Sequence, residues 1–458
     1  MTSYHQTVVV ELGSSRIKIG FAGESRPRRV LHGDVWDSDD GCSWSVPIND
    51  GVGARPCTWG KFFRYFSMNS SHSSAASKVS SVYEWEQTIY PLFSHILTSV
   101  LFVQRPSRHR ILIVTNDLYP PRNFREALIR VLLNYLGVGG VLIVNGGAFA
   151  GISYLLEGLP PSIDLSPPKA YLLVDIGTYE ARVLVLVTGS SILAETNQTV
   201  MSGYHSFLRQ LLNNYQEHHV ETDEPDSTAI ITTLQDANSI VQAWLSISRE
   251  SKDVTTLSVR LPSDSSQTPV RLSIGPMQEA FRQVYLDYTN PSSLVFAMLS
   301  SLIDCPIDYR RVALQNVVLL GGGSTALRYF TYTSNKAKSG YKLGDALIKA
   351  AVDACGIINE SSEISDEKKE DESVTISSIS KHRFKCLQPS ILGRVDESGE
   401  YRGGMTLRYP DPFAADVASW IGGSIMGSLD LKNEEWLLKK CDSDNIDVRA
   451  SSHRANAR

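Results

Sequence analysis

Two short stretches of the chain carry the residue types that hold a phosphate. Val8-Val9-Val10-Glu11-Leu12-Gly13-Ser14 and Leu172-Leu173-Val174-Asp175-Ile176-Gly177-Thr178 are each an apolar strand ending in acid-x-Gly-hydroxyl. A second strand-like run follows each of them, Ile17 to Ala22 and Arg182 to Thr188, so both read as β-hairpins with the glycine in the tight turn. Backbone N–H groups in such a turn point outward with no Cβ in the way, which suits an anion. The two motifs stand about 160 residues apart, the mark of an internally duplicated fold that grips one anion between its halves. A third stretch, Asn316 to Thr325, runs from a buried-type strand into Gly321-Gly322-Gly323, with a helix N-cap expected at Ser324 or Thr325. A flat base or sugar could lie close against backbone there.

These motifs need elements to position them, and the chain is long enough to supply them. At 458 residues it exceeds the size of one growing core, so at least two domains are expected. A hydrophobic share of 42%, a charged share of 20% and a net charge of −5 describe an ordinary globular protein. The mildly acidic balance argues against nucleic-acid binding, which needs a basic footprint. Six cysteines lie scattered without a CxxC pair and read as reduced thiols of a cytosolic or nuclear protein. No basic region followed by an apolar core opens the sequence, so no secretory signal is expected. The longest apolar stretch, Leu92 to Val103, is too short to span a bilayer and reads as a core helix.

Strand and helix patterns alternate along the chain: a helix over Tyr83 to Val103, a strand over Arg110 to Val114, a helix over Asn123 to Leu136, a strand over Val141 to Val144 and a small-residue helix over Ala148 to Leu156. The prolines from Pro160 to Pro168 mark a boundary. The expected organisation is a first lobe over 1–165 with a loop-rich insert at about 34–81, a second lobe over 166–440, and a tail over 441–458. Within the second lobe, a helical subregion is expected at about 203–275 and a disordered acidic loop at about 356–380. The fold class is α/β with two related lobes.

The residues resemble a known family. Glu11 through Gly23-Glu24, with Lys18 and the Gly20-Phe21-Ala22-Gly23 run, is similar to the first phosphate hairpin of actin and the actin-related proteins. Asp175-Ile176-Gly177 resembles the second hairpin, Gly322-Gly323-Ser324-Thr325 the adenosine-side motif, and Trp420-Ile421-Gly422-Gly423-Ser424-Ile425 the terminal signature. The resemblance implies the duplicated fold shared by actin, Hsp70 chaperones and sugar kinases, with two lobes around a nucleotide cleft. It also implies ATP or ADP with Mg2+, bound weakly or as a static filler, through Gly13, Ser14, Lys18, Asp175, Gly177, Gly322, Gly323 and Ser324. Within the family, Leu302 to Arg310 with its Cys305-Pro306-Ile307-Asp308 core is similar to the class at the pointed end of the short filament of dynactin, the cofactor of cytoplasmic dynein.

The chemistry departs from the family's. Glu11 stands where actin has Asp, Ser15 where it has Gly, and Thr178-Tyr179-Glu180 where its second turn is rich in Gly and Asp. A tyrosine at a glycine position is expected to carry a Cβ cost, and Glu180 to repel phosphate if it turned inward. The family's water-orienting glutamine has no counterpart, since no glutamine occurs between Gln104 and Gln198, and Arg182 occupies the place of its histidine. Arginine stays charged and is no base. Two structural alternatives stand beside these readings: the glycines serve turn geometry alone, and Lys18 is a solvated lysine. His218-His219 reads as a surface pair and Phe21 and Trp420 as core.

The leading expectation is therefore a non-catalytic structural subunit that caps the pointed end of the dynactin filament. The resemblance places it in the cytoplasm and cytoskeleton, in a hetero-oligomeric assembly with the actin-related filament and its other pointed-end subunits, without nucleic acid or membrane span. The alternatives are an ATP-hydrolysing enzyme on the same scaffold and a nuclear actin-related subunit of a chromatin-remodelling complex.

Overall fold

The computed structural model describes residues 6–32, 44–46, 55–57, 81–115, 120–157, 170–187, 191–221, 231–247, 255–263, 269–332, 341–355, 384–387, 407–408, 414–429 and 436–438. They form two compact units, one of residues up to Gly146 together with those from Gly423 on, the other of Gly147 to Gly422. Residues 423–440, expected in the second lobe, thus group with the first unit. The reason is visible at two glycines: a Cβ on Gly423 would press on Val9, Leu112 and Val114, and one on Gly427 on Ala22 and Thr7.

The first unit is built on a five-stranded sheet in the order β3-β2-β1-β6-β7. Its strands are β1 (Gln6–Leu12), β2 (Arg16–Phe21), β3 (Arg29–His32), β6 (His109–Thr115) and β7 (Gly140–Asn145). A separate small ladder pairs β4 (Trp44–Val46) with β5 (Arg55–Cys57). The run Val8-Val9-Val10 is fully buried, as β-branched side chains covered on both faces of a sheet should be. β1 pairs antiparallel with β2 and parallel with β6. Parallel neighbours need crossovers, and α1 (Val82–His95) and α2 (Arg122–Arg130) lie in the two connections. Ser81 and Glu84 close a capping box at the start of α1, and Trp85, Ile89, Leu92 and Phe93 form its buried stripe. Trp85 meets Phe124 of α2 edge-on at 5.0 Å between ring centres.

The second unit repeats this plan. Its sheet runs β10-β9-β8-β13-β16, from β8 (Ala170–Ile176), β9 (Ala181–Val187), β10 (Ser191–Val200), β13 (Val317–Leu320) and β16 (Leu407–Arg408). Here too, three antiparallel strands are followed by two parallel ones, β8 beside β13 and β13 beside β16. The expected duplication is therefore the observed architecture. Two small ladders, β11 (Thr256–Val259) with β12 (Val270–Ser273) and β14 (Thr331–Tyr332) with β15 (Tyr341–Lys342), complete its strands among the described residues.

Among the described residues, nine further helices follow: α3 (Gly146–Glu157), α4 (Tyr204–Glu221), α5 (Leu234–Ile247), α6 (Gly275–Phe281), α7 (Leu294–Asp304), α8 (Ile307–Leu314), α9 (Gly321–Leu327), α10 (Leu343–Ala354) and α11 (Ala418–Ser428). Phe207, Phe281, Tyr285 and Phe330 form an aromatic core beneath α4 and α6, with Phe281 and Phe330 stacked at 4.4 Å. No described helix is long and apolar enough to cross a membrane. The 34–81 insert apart from β4, β5 and Ser81, the acidic loop at 356–380, the tail and the side chains of His218 and His219 lie outside the described residues.

Candidate phosphate hairpins

In the first unit, β1 and β2 are joined by the two-residue turn Ser14-Ser15, closed by the Gly13 N–H donating to Arg16 O at 3.0 Å. A Cβ on Gly13 would lie 2.6 Å from that carbonyl, so the turn itself demands glycine there. Glu11 and Lys18 face each other across the hairpin. Lys18 Nζ donates to Glu11 Oε1 at 2.5 Å and both side chains are buried, so Lys18 is not the solvated lysine the sequence allowed. An ammonium has three N–H groups, and this bond uses one.

The far end of β2 is locked by the terminal signature. Phe21 N donates to Glu24 Oε2 at 2.8 Å, Glu24 pairs with Arg28, and the Arg28 guanidinium lies 4.5 Å over the Phe21 ring. Ser424 Oγ donates to Glu24 O at 2.7 Å, and Gly23 N donates to Ser424 O at 3.1 Å. Gly23 has φ +86°, which glycine adopts without strain. Two motifs 400 positions apart in sequence therefore fix one another. Phe21 and Trp420 are core residues, as expected.

The second hairpin has the same construction. Gly177 N–H donates to Glu180 O at 2.9 Å around the turn Thr178-Tyr179. The carbonyls of this turn then meet the start of α4: Gly203 N donates to Tyr179 O at 3.3 Å, Tyr204 N to Gly177 O at 3.0 Å and His205 N to Thr178 O at 2.7 Å. The first N–H groups of a helix, which elsewhere hold anions, are satisfied here by protein. A Cβ on Gly203 would come 2.4 Å from the Tyr179 carbonyl carbon, which lets the turn approach so closely.

The cost expected at Tyr179 does not arise. Phe102 is the non-glycine with positive φ among the described residues, so Tyr179 closes its turn without left-handed backbone. Its buried ring packs on His205 at 5.1 Å. Glu180 is paired with Arg182 and is not an isolated charge at the turn. Arg182 also stands opposite Asp175 in the strand register, as Lys18 stands opposite Glu11. Each hairpin thus sets a carboxylate on its entering strand against a cationic side chain on its leaving strand. Reading Arg182 only as a replaced histidine hides this symmetry, although the seven-residue spacing of both pairs was there to be found.

The triple glycine closes onto this second hairpin. Gly321 has φ +87°, and its Cβ would fall 2.2 Å from Asp175 Oδ1 and 2.4 Å from Ile176 O. A Cβ on Gly323 would lie 3.0 Å from Gly177 O, whereas one on Gly322 would meet nothing within 4 Å. Asp175 is therefore a neighbour of Gly321, and Gly177 of Gly323, with Gly322 on the open side. The expected N-cap at Ser324 or Thr325 is corrected: α9 starts at Gly321 with Leu320 as its cap residue. Glycines tolerate this early start because the first turn must press against Ile176. Ser324 sits one turn inside, its Oγ donating to Leu320 O at 2.5 Å.

Residues 2–255 match the family model described as Actin, which is more than half of the chain. The chain belongs to the actin family and is an actin-related protein. Among curated relatives, it is similar to Actin-related protein 10 of Dictyostelium discoideum, 22% identical over 212 residues. That match covers 45% of this chain and 39% of the relative, so it spans well under half of the relative's length.

Proposed function

We propose that this chain is a non-catalytic structural subunit at the pointed end of the dynactin actin-related filament, serving dynein-driven transport along microtubules in the cytoplasm. The reading draws on the similarity to Actin-related protein 10 and on the Leu302 to Arg310 stretch. The observation that carries the loss of catalysis is Arg182, a permanently charged side chain committed to Glu180 at the position where the family has histidine. The Gly146 to Ala150 stretch at the start of α3 likewise lacks a side chain that could orient water.

Each hairpin, taken by itself, offers a phosphate a weak hold, which accords with a nucleotide bound weakly or as a static filler. Lys18 keeps donors beyond the one given to Glu11, Gly13 and Gly177 shape the turns, and the face of Gly322 is open. Against a strong grip, Asp175 and Glu180 place two carboxylates beside the one guanidinium of Arg182.

Phosphate release from Mg2+-ATP by the purified full chain tests the reading. The expected result is negligible turnover, unchanged by Asp175→Asn. Turnover that Asp175→Asn abolishes overturns it in favour of an ATP-hydrolysing enzyme. Co-purification with a remodelling ATPase instead of dynactin subunits overturns the assembly in favour of the nuclear alternative.

A further inference from the structure

The first unit ends two helices in one way, with one difference. After α1 a π-helical turn runs over Ile96–Val100, and after α2 another runs over Val131–Tyr135. Leu101 N donates to Ile96 O and Val103 N to Leu97 O, at 3.0 and 2.7 Å. Leu136 N donates to Val131 O and Val138 N to Leu132 O, at 2.9 and 3.0 Å. The residue between those donors must adopt left-handed backbone, the usual post of a glycine after a helix. In the second case it is Gly137, φ +66°. In the first it is Phe102, φ 54°.

Phe102 is strained where glycine would be relaxed, and the residue is 78% exposed, the highest value among the exposed large hydrophobic residues described. Its neighbours Leu101 and Val103 are buried, so the backbone is held from both sides while the ring stands in solvent. Neither the fold nor the hairpins use this side chain. The chain then continues through Arg105 and Arg108, both exposed and, among the described residues, without an ion-pair partner. The turn that carries them is fixed by Arg108 N donating to Arg105 O and by His109 Nδ1 on the same carbonyl, both at 3.0 Å. No acidic residue occurs from Phe102 to His109.

We propose that Phe102 with Arg105 and Arg108 forms a docking site for an acidic protein segment that carries an apolar side chain. Phe102 supplies an exposed aromatic side chain on a held backbone, the residue type that dominates interfaces, and the two guanidinium groups supply the complementary charge. One aromatic ring and two arginines are too little for stable attachment to a lipid surface, which favours a protein partner over a membrane. The inference does not depend on the function proposed above.

The test pans random short peptides against the full chain, with counter-selection on the Phe102→Gly variant. Enriched peptides are expected to be acidic with an apolar residue, and to bind Phe102→Gly about thirtyfold more weakly. Phe102→Gly itself is expected to melt at a higher temperature than the parent, because glycine relieves the left-handed strain. Arg105→Glu/Arg108→Glu is expected to lose the acidic peptides and gain basic ones. Three results overturn the proposal: no peptide whose binding depends on Phe102, a lower melting temperature for Phe102→Gly, or Phe102-dependent binding to phosphatidylserine vesicles without any such peptide.

Discussion

Lys18 and Glu11 form a buried ion pair inside a hairpin, and its energetics are asymmetric. Two desolvated charges contribute little net stability together, yet removing one strands the other. Lys18→Met is therefore expected to cost about 3 kcal/mol in denaturant unfolding, and Glu11→Gln/Lys18→Met to recover most of that loss. The glycines divide in the same residue-level way. Gly13→Ala drives a Cβ to 2.6 Å from a backbone carbonyl that cannot move away, and should destabilise by roughly 2 kcal/mol. Gly322→Ala meets open space within a helix, and should be neutral or stabilising by up to about 1 kcal/mol. Thermal melts of the two variants check the contrast. If both glycines were kept for a ligand alone, neither substitution would affect the melt of the ligand-free protein.

At the scale of elements, the start of α5 is tied down by one buried carboxylate. Asp236 accepts from Thr233 N at 3.0 Å, Thr232 N at 3.3 Å and Ser263 N at 3.0 Å, joining the helix start to the loop after β11. Burial pushes its pKa up, but the hydrogen bonds from Ser263 and Thr233 outweigh this and hold it below its ordinary value. A carboxyl with a lowered folded pKa stabilises above its unfolded value and loses that contribution as pH falls through the folded one. Stability should therefore drop below about pH 4, and Asp236→Asn should flatten that drop while costing roughly 2 kcal/mol at neutral pH. Denaturant unfolding from acid to neutral pH reads both effects. Elements of this kind were only partly legible in the sequence. The hairpins were legible because unbroken apolar strands flank a glycine turn. The start of α9 was not, because three glycines score poorly as helix and only their contact with Ile176 makes them one. The helical patterns over Tyr83 to Val103 and Asn123 to Leu136 already took in the last turns after α1 and α2, but spacing does not tell a π-helical turn from an α-helical one, and the two residues of β16 are too few to give a periodic signal.

For the whole molecule, the decisive feature is repetition: two sheets with the same strand order, each opening with a hairpin whose carboxylate faces a cationic side chain. The echo of Glu11-Leu12-Gly13 in Asp175-Ile176-Gly177 makes that duplication readable from the sequence, because both turns obey one steric rule at their glycine. The pairing of Glu180 with Arg182 was out of reach, since side-chain partners near a turn depend on rotamers that spacing does not fix. Repetition of a scaffold does not preserve its chemistry, and the function proposed here rests on that separation. The function proposed above is membership of a hetero-oligomeric actin-related filament end. It is tested most directly by purifying the full chain under native conditions from its own cells and quantifying the proteins that accompany it by mass spectrometry. An actin-related filament protein and the other dynactin pointed-end subunits are expected in fixed proportion to this chain. Recovery of the chain alone, or with a chromatin-remodelling ATPase, would contradict it.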